Sequence, residues 1–289
     1  MGDIKWGARQ RLQYIEVMAY YTGVVTRSDV ARAFGISDAA ATKDLKLYGQ
    51  LTGDNLVYRH AVFGFVPGEQ FQPQFADLSP ARILPTIAAN LATIDGPYGD
   101  ESVFGIPVDE LPLPNRLPEP VVLAQIIRAI KQRRKLRVSY HSLSDQDTTR
   151  QRSIEPHSLV NTGLRWHLRA YNEESYDFRD FVLSRFRDAR MLDQAAESSA
   201  QYDEDWSEMI TLQLAPHPGL SPTQRASLLV DYQHRDGVIE VRIRRALIGY
   251  LLQRLSVDTS TDHGMNPAAH QLILLNRDEI EPFAAWAFH

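Results

Sequence analysis

The sequence contains no cysteine, and this absence excludes disulfide bonds and thiolate–metal sites. It also has no apolar run long enough to span a bilayer, so no transmembrane helix is predicted. The first six residues lack the charged and apolar regions of a signal peptide, and we therefore expect a cytoplasmic protein. The 289 residues suffice for two or three domains, and a hydrophobic fraction of 44% is ordinary for a folded chain.

Motifs that carry catalysis are also missing. There is no His-Glu-x-x-His motif, no nucleophile elbow and no Walker loop. His141, Asp145 and Asp147 have the side chains of a metal or acid–base cluster, but a segment rich in Asp, Ser and Thr is normally a turn. The sequence therefore predicts no enzyme, no cofactor and no metal site.

Acidic and basic residues are separated along the chain. The formal net charge is −5, yet residues 1–66 hold eight Lys or Arg against six Asp or Glu, and residues 121–190 hold fourteen against eight. The remainder holds nine against 22. Because basic surfaces attract phosphate, the two basic segments are candidate surfaces for nucleic acid or another anion.

The N-terminal region predicts a helix-turn-helix. A first helix is expected over residues 5–21, with Trp6 on its packing side. Thr26 and Asp29 match the capping box that begins a second helix, and Gly35 ends that helix before a third one. Since such patterns also arise by chance, a three-helix module without a DNA partner remains an alternative.

The third predicted helix, residues 38–48, has the features of a recognition helix. Ala41, Leu45 and Tyr48 recur at helical spacing and are assigned to the core, which turns a small, polar and cationic face outward. Short side chains permit close approach to the major groove, and lysines contact phosphate. Two short strands between residues 55 and 66 are predicted to form a wing. The candidate DNA-contacting residues are Ser37, Ala39, Thr42, Lys43, Lys46, Arg59 and His60.

Later segments suggest further domains. A helix is predicted from residue 79 to about residue 94, and five prolines within residues 107–120 predict a stiff connector. Strands and helices alternate beyond residue 196 without a Gly-rich phosphate loop, which predicts a small α/β domain. Its apolar helix, residues 247–255, is expected in the core, with a dimer face as the alternative.

Residues 164–171 alternate strictly between two faces of a predicted strand. One face is apolar and is expected to pack, with Trp166 as a core wall. The other face carries three cationic side chains and an aromatic ring, which suggests an anionic ligand, although it is alternatively just the solvated side of the strand. A turn at residues 161–163 allows residues 158–160 to pair as the partner strand. The two faces are Leu164, Trp166, Leu168, Ala170 and Arg165, His167, Arg169, Tyr171.

Three short runs, residues 155–159, 166–168 and 183–186, together resemble the core of a WYL domain, a small Sm-like β-barrel named for a Trp-Tyr-Leu triplet. The triplet here reads Trp-His-Leu, and the usual Asp-Arg-Ile is replaced by Ser-Arg-Phe. The order of helix-turn-helix, proline-rich connector, barrel and C-terminal segment resembles that of WYL-domain transcriptional regulators. The likeness is greatest to the BrxR/CapW-like repressors that are encoded beside bacterial anti-phage operons.

This resemblance implies an α+β multidomain protein with a winged helix-turn-helix domain (1–95), a linker (96–120), a WYL barrel (121–195) and a WCX-like dimerisation domain (196–289). It implies a homodimeric, ligand-responsive repressor that binds double-stranded DNA at an inverted-repeat operator and senses an anionic ligand derived from nucleic acid. A single-stranded DNA or RNA binder without promoter control, and a nuclease, remain alternatives. The candidate ligand contacts are Tyr140, His157, His167, Arg169 and Arg185.

Overall fold

Two compact units make up the chain, Met1–Pro112 and Leu113–His289. The structure is a computed structural model that describes residues 4–88, 104, 106, 111–114, 116–143, 150–234 and 236–288. Part of the predicted proline-rich connector lies outside the described residues, and the three predicted boundaries between the four segments stay predictions. Within the described ranges, no helix has the length and apolarity needed to cross a membrane.

A helix-turn-helix followed by a β-hairpin forms the first unit, which confirms the predicted winged fold. The hairpin strands are antiparallel, and Val25 bridges to Phe65 at their edge. The last helix of this unit ends at Ala88, and the predicted continuation to residue 94 lies outside the described residues. The elements are α1 (Trp6–Thr22), α2 (Arg27–Phe34), α3 (Asp38–Thr52), β1 (Leu56–Arg59), β2 (Gly64–Pro67) and α4 (Pro80–Ala88).

The helix ends follow the sequence signals. Asp29 N donates to Thr26 Oγ1 over 3.2 Å, and Thr26 N donates back to the Asp29 carboxylate over 2.8 Å, which confirms the predicted capping box. Ala41 and Tyr48 are buried as predicted. The placement of Trp6 on the packing face is wrong, because its side chain is 77% exposed in the first turn of α1, ahead of the first buried position of that helix.

A buried carboxylate ties the chain beyond the wing to the helices. Glu16 is fully buried and accepts a hydrogen bond from the Tyr48 hydroxyl over 3.0 Å. It also accepts from the backbone N–H groups of Gln74, Phe75 and Ala76 over 2.7–2.8 Å. These bonds satisfy a charge that is otherwise costly to bury, so they hold the exit from β2 against α1 and α3.

The second unit begins with a helix packed on a five-stranded antiparallel sheet of order β6-β5-β4-β3-β7. The predicted turn is present, since Gly163 has a left-handed φ of 80° and Val160 pairs with His167 across the hairpin. Register shifts interrupt the pairing of β3 with β7 and of β4 with β5, and among the described residues no hydrogen-bonded ladder joins the outer strands β6 and β7. The elements are α5 (Pro120–Gln132), β3 (Arg134–Tyr140), β4 (Arg150–Asn161), β5 (Trp166–Asn172), β6 (Asp177–Val182) and β7 (Phe186–Ala195).

The placement of Trp166 as a core wall is wrong. Trp166 is 38% exposed, because it is the first residue of β5 and lies at the end of the strand beside the turn. The centre of the predicted apolar face does pack, since Leu168 and Ala170 are fully buried against α5. The opposite face is not solvated either, because His167 and Arg169 are also buried.

A second sheet, of order β10-β11-β8-β9, completes the unit around its own core. Ile248 and Leu252 of the predicted apolar helix lie in that core, as expected. The alternation of strands and helices is confirmed, while the short α6 and β10 were not predicted. The elements are α6 (Glu204–Ser207), β8 (Met209–Pro216), α7 (Pro222–Asp231), β9 (Ile239–Arg244), α8 (Ile248–Arg254), β10 (Val257–Asp258), β11 (Leu272–Leu274) and α9 (Arg277–Ala284).

Candidate functional site

The outward face of α3 is cationic and accessible. Lys43 and Lys46 are exposed, and no carboxylate of the described residues forms an ion pair with either of them. The Thr42 hydroxyl donates to the Asp38 carbonyl over 2.7 Å and keeps its lone pairs to accept another bond. The structure therefore brings together on one helix face Ser37, Ala39, Thr42, Lys43 and Lys46.

Both carboxylates of α3 are paired within the first unit. Asp44 is nearly buried and accepts from Arg11 Nε over 2.6 Å. Asp38 lies 3.5 Å from Arg27 Nε in an exposed ion pair. Because these pairs cancel the acidic charge of the helix, its exposed face stays positive towards an approaching polyanion.

The wing presents a second cationic point. Arg59 and His60 are exposed at the tip of the hairpin, where they were predicted to contact phosphate. The His60 ring packs edge-to-face on Tyr58 with centroids 5.1 Å apart, and Tyr58 packs in turn on Phe65. These ring contacts support the hairpin, so Arg59 and His60 lie on a defined structure.

The inner face of β5 carries a buried ion-pair network. Arg169 is 5% exposed and binds Asp203 through two hydrogen bonds of 2.7 and 2.9 Å. His157, which a bulge leaves unpaired in β4, lies 3.1 Å from the same carboxylate through Nε2. Burial alone would raise the pKa of Asp203, but the bonds from His157 and Arg169 hold that pKa well below its usual value. Asp203 therefore remains a carboxylate.

Three of the five residues predicted to contact a ligand form hydrogen bonds or ion pairs within the chain instead. Arg169 and His157 meet at Asp203, and Arg169 also lies 3.6 Å from Asp180. Tyr140 is 6% exposed, and its hydroxyl accepts from Val182 N over 3.0 Å. Their direct contact with a ligand stays a prediction, and their polar groups already have partners within the chain.

The remaining two, His167 and Arg185, lie in a cluster of arginines. Burial first, and then the positive charges of Arg165, Arg185 and Arg116, lower the pKa of His167 to about 4. The pKa of Arg165 is lowered by its burial and by the charges of Arg116 and Arg185. Within the described residues none of these arginines forms an ion pair with a carboxylate. We call Arg116, Arg165, His167 and Arg185 the arginine cluster.

A hydrogen bond to His167 determines which of its two ring nitrogens carries the proton. Arg165 Nε donates to His167 Nε2 over 3.1 Å, so Nε2 must be the accepting nitrogen and the proton of the neutral ring lies on Nδ1. Nδ1 is buried and has no hydrogen-bond partner among the described residues. The ring stacks at 34° on Tyr250 of α8, with centroids 4.7 Å apart. Within the part of the chain that the structure describes, the cluster thus combines arginines without a carboxylate partner and an N–H donor without an acceptor, a combination that favours an anion.

Other clusters offer less. Among the described residues, no group of three or more His, Asp or Glu could hold a metal ion. Asp145 and Asp147 of the cluster considered with His141 lie outside the described residues. Asp258 is fully buried and is bonded to His217 Nε2 at 3.1 Å and to the backbone of residues 260 and 265, which makes it an anchor for a loop.

Comparison with known proteins covers nearly the whole chain. Residues 7–89 match the BrxR transcriptional regulator winged helix-turn-helix domain, residues 121–191 the WYL domain, and residues 209–280 the BrxR transcriptional regulator C-terminal dimerization domain. The chain is 34% identical over 280 residues to the DNA-binding transcriptional repressor CapW of Stenotrophomonas maltophilia, covering 96% of this chain and 92% of that protein. The chain belongs to the BrxR/CapW family of transcriptional regulators.

Other members of the BrxR/CapW family agree. CapW of Pseudomonas aeruginosa is 33% identical and CapW of Escherichia coli (strain KTE188) is 35% identical, each over 96% of this chain and at least 91% of the relative. These relatives are named as repressors rather than enzymes. Among solved structures, a match to proteasome accessory factor B/C of Arthrobacter aurescens covers 97% of this chain and 48% of that protein, at 18% identity and a TM-score of 0.26.

Two residues of the arginine cluster, Arg116 and Arg165, were not among the predicted ligand contacts, and neither was Tyr250. Arg165 was already on the predicted cationic face of β5, and its position two residues from both the turn and His167 was the available signal. Arg116 lies in the predicted connector and Tyr250 in the C-terminal domain. Their approach to His167 depends on tertiary packing, which residue spacing does not reveal.

Proposed function

We propose that this BrxR/CapW family member is a ligand-responsive transcriptional repressor. In this proposal a homodimer acts in the cytoplasm, binds an inverted-repeat operator through its winged helices and controls a phage-defence operon. The arginine cluster senses an anionic ligand derived from nucleic acid. The observation that carries the proposal is the exposed lysine face of α3, whose two acids are internally paired, in a chain related to DNA-binding repressors along 96% of its length.

The α3 face supports the DNA-binding part. A helix N-terminus with small side chains fits the major groove, and the exposed Lys43 and Lys46 would contact phosphates, which strengthens binding without selecting sequence. Ser37, Ala39 and Thr42 lie at the start of the helix, where recognition helices approach base edges. In a two-fold dimer these surfaces would address half-sites about 34 Å apart, or a multiple of that distance.

The arginine cluster supports the sensing part. Arginine forks bind phosphate bidentately, and the three arginines here have no carboxylate partner in the described residues. An anion would relieve their mutual repulsion, which is visible in the lowered pKa of Arg165. Tyr250 also donates a 3.1 Å hydrogen bond to Asp180 of β6, so a ligand beside His167 would act on the contact between α8 and the five-stranded sheet.

Footprinting on the DNA upstream of its own gene tests the DNA-binding part. We expect protection of two symmetric half-sites, and we expect Lys43→Ala/Lys46→Ala to weaken binding to all duplexes and to flatten the salt dependence. Arg128→Ala/Lys131→Ala on α5 is the matched control, because it removes two exposed cations outside the winged helix. Unchanged affinity of the α3 variant would remove this face from the interface.

A short single-stranded DNA added to the same footprint tests the sensing part. We expect it to release the wild-type protein, and we expect Arg165→Ala/Arg185→Ala to keep the footprint but lose the response. Arg187→Ala/Arg190→Ala on β7 is the control with two exposed arginines. If single-stranded DNA released the Arg165→Ala/Arg185→Ala variant as readily as the wild type, the sensing role would be contradicted. Binding of single strands without any footprint would favour the alternative, a single-stranded nucleic-acid binder without promoter control.

A further inference from the structure

The tip of the wing carries an exposed aromatic ring that the proposed lysine contacts do not use. Phe63 is 78% exposed at the start of β2, beside Val62, which is 48% exposed. The neighbouring rings of the hairpin behave differently, since Tyr58 packs edge-to-face on both His60 and Phe65. Phe63 is also absent from the residues that pack on the core of the first unit. Its ring therefore contributes little to the fold of the wing.

The backbone gives a second, independent sign. Phe63 has φ 49° and ψ 34°, the left-handed conformation that Gly and Asn adopt readily and that an aromatic residue adopts only at a cost in free energy. The next residue has to be glycine, because a Cβ at Gly64 would lie 2.6 Å from Val24. Position 63 is under no such constraint, and the turn alone would be better served by Gly or Asn. A costly side chain that does not stabilise its own turn points to a partner.

The charges around the ring indicate the chemistry of that partner. Arg59 and His60 are exposed beside it, and residues 56–67 include no acidic residue. An apolar ring flanked by an arginine and an imidazole that can donate a hydrogen bond suits a surface in which stacked bases lie between two rows of phosphates. We propose that Phe63 is a wedge that enters the minor groove of duplex DNA and partly unstacks one base step there. This inference rests on the proposed binding of duplex DNA by the winged helix.

The wedge also predicts a sequence preference at a place where the wing makes no base-specific hydrogen bond. Pyrimidine–purine steps unstack and kink at the lowest cost, so a TA or CA step is expected where the wing meets the duplex. Arg59 and His60 would hold the two phosphate rows on either side of the ring. The operator is then read by α3 in the major groove and by its deformability under the wing.

The decisive variant is Phe63→Asn, because Asn tolerates the left-handed backbone and lacks the ring. We expect its melting temperature to equal or exceed that of the wild type, whereas its affinity for the footprinted duplex falls about tenfold. We also expect the bend of that duplex, measured by fluorescence energy transfer between end labels, to be lost. Phe63→Leu retains an apolar wedge and should restore most of the bend. Val62→Ala is the control for the adjacent apolar side chain.

The outcomes separate this inference from the proposed function. If the wild type protects no duplex, the proposed function fails and the wedge fails with it. If the wild type gives a footprint and Phe63→Asn binds and bends the duplex equally well, only the wedge is wrong. A Phe63→Asn protein that binds DNA normally but sediments as a smaller species would show that the ring packs on a second copy of the chain, which also overturns the wedge.

Discussion

The basic residues of α3 and those of β5 form similar patterns in the sequence, but those of α3 are exposed in the fold and most of those of β5 are buried. Lys43 and Lys46 remain exposed on a helix whose acids are paired elsewhere. On β5, Arg169 is buried against Asp203, and only the end of the strand near Arg165 keeps positive charge without a carboxylate partner in the described residues. A basic strand face thus becomes partly structural when a later segment of the chain folds over it.

The difference follows from what covers each surface. A surface helix buries one stripe and leaves the rest to solvent, so the exposed residues of α3 can be read from their spacing. A strand has two faces, and burial of the second depends on elements far away in sequence. Here α6 and α8 approach β5, supplying Asp203 at the cap of α6 and Tyr250 on α8. One strand consequently holds a fixed ion pair and a candidate ligand site.

The largest effect is expected from Asp203→Asn. The amide can still cap α6, but it removes the carboxylate that binds Arg169 through two hydrogen bonds and leaves the buried guanidinium with only the longer contacts to Asp180 and Asp205, at 3.6 and 3.8 Å. We expect a cost of about 3 kcal/mol in the free energy of unfolding. Chemical denaturation of the full chain measures this loss. Glu204→Gln, at a side chain 92% exposed on the same helix, should change stability by less than about 0.5 kcal/mol.

A second change sharpens the assignment of that cost. Adding Arg169→Met to Asp203→Asn removes the buried charge that has lost its closest partner and keeps an apolar side chain in its place, so we expect part of the lost stability to return. If the single variant were as stable as the wild type, the pair would be structurally unimportant, and Arg169 would be available for a ligand after all.

The next largest effect is a pH dependence at the arginine cluster. The pKa of His167 in the folded chain is about 4, below the ordinary 6.5, because burial and the adjacent arginines oppose its charge. The unfolded chain therefore takes up a proton between pH 6.5 and pH 4 that the folded chain refuses. The stability due to this group is fully present above pH 6.5 and falls on acidification, by an amount on the order of 3 kcal/mol at pH 4.

The comparison of wild type with His167→Gln isolates this term from the titration of the carboxylates. The variant should lose less stability than the wild type between pH 6.5 and pH 4.

An anion bound among Arg116, Arg165 and Arg185 should raise the pKa of His167. An NMR titration that follows the ring carbon resonance of His167 measures this pKa with and without short single-stranded DNA. An ordinary pKa near 6.5 in the free protein would contradict the buried, cation-surrounded environment.

Local signals predicted much of this fold. The capping box at Thr26, the buried positions of α3 and the turn at Gly163 all follow from residues within a few positions of each other. The buried partners of β5 do not, since Asp203 lies 34 residues from Arg169 and Tyr250 lies 70 residues from Asp180. Alternation correctly separated the two faces of β5, but it could not reveal that both would be covered.

The smallest effect on stability is expected from substitutions on the exposed face of α3. Lys43→Ala should change the free energy of unfolding by less than about 0.5 kcal/mol, because the side chain is exposed and has no ion-pair partner among the described residues. The same variant should lower the slope of log affinity against log salt by about 1, since one phosphate contact is lost. Gel shifts across a salt series measure that slope. A stable variant with an unchanged slope would mean that Lys43 does not contact phosphate, although it is exposed. The difference between α3 and the buried cations of β5 would then be a difference in packing and not in function.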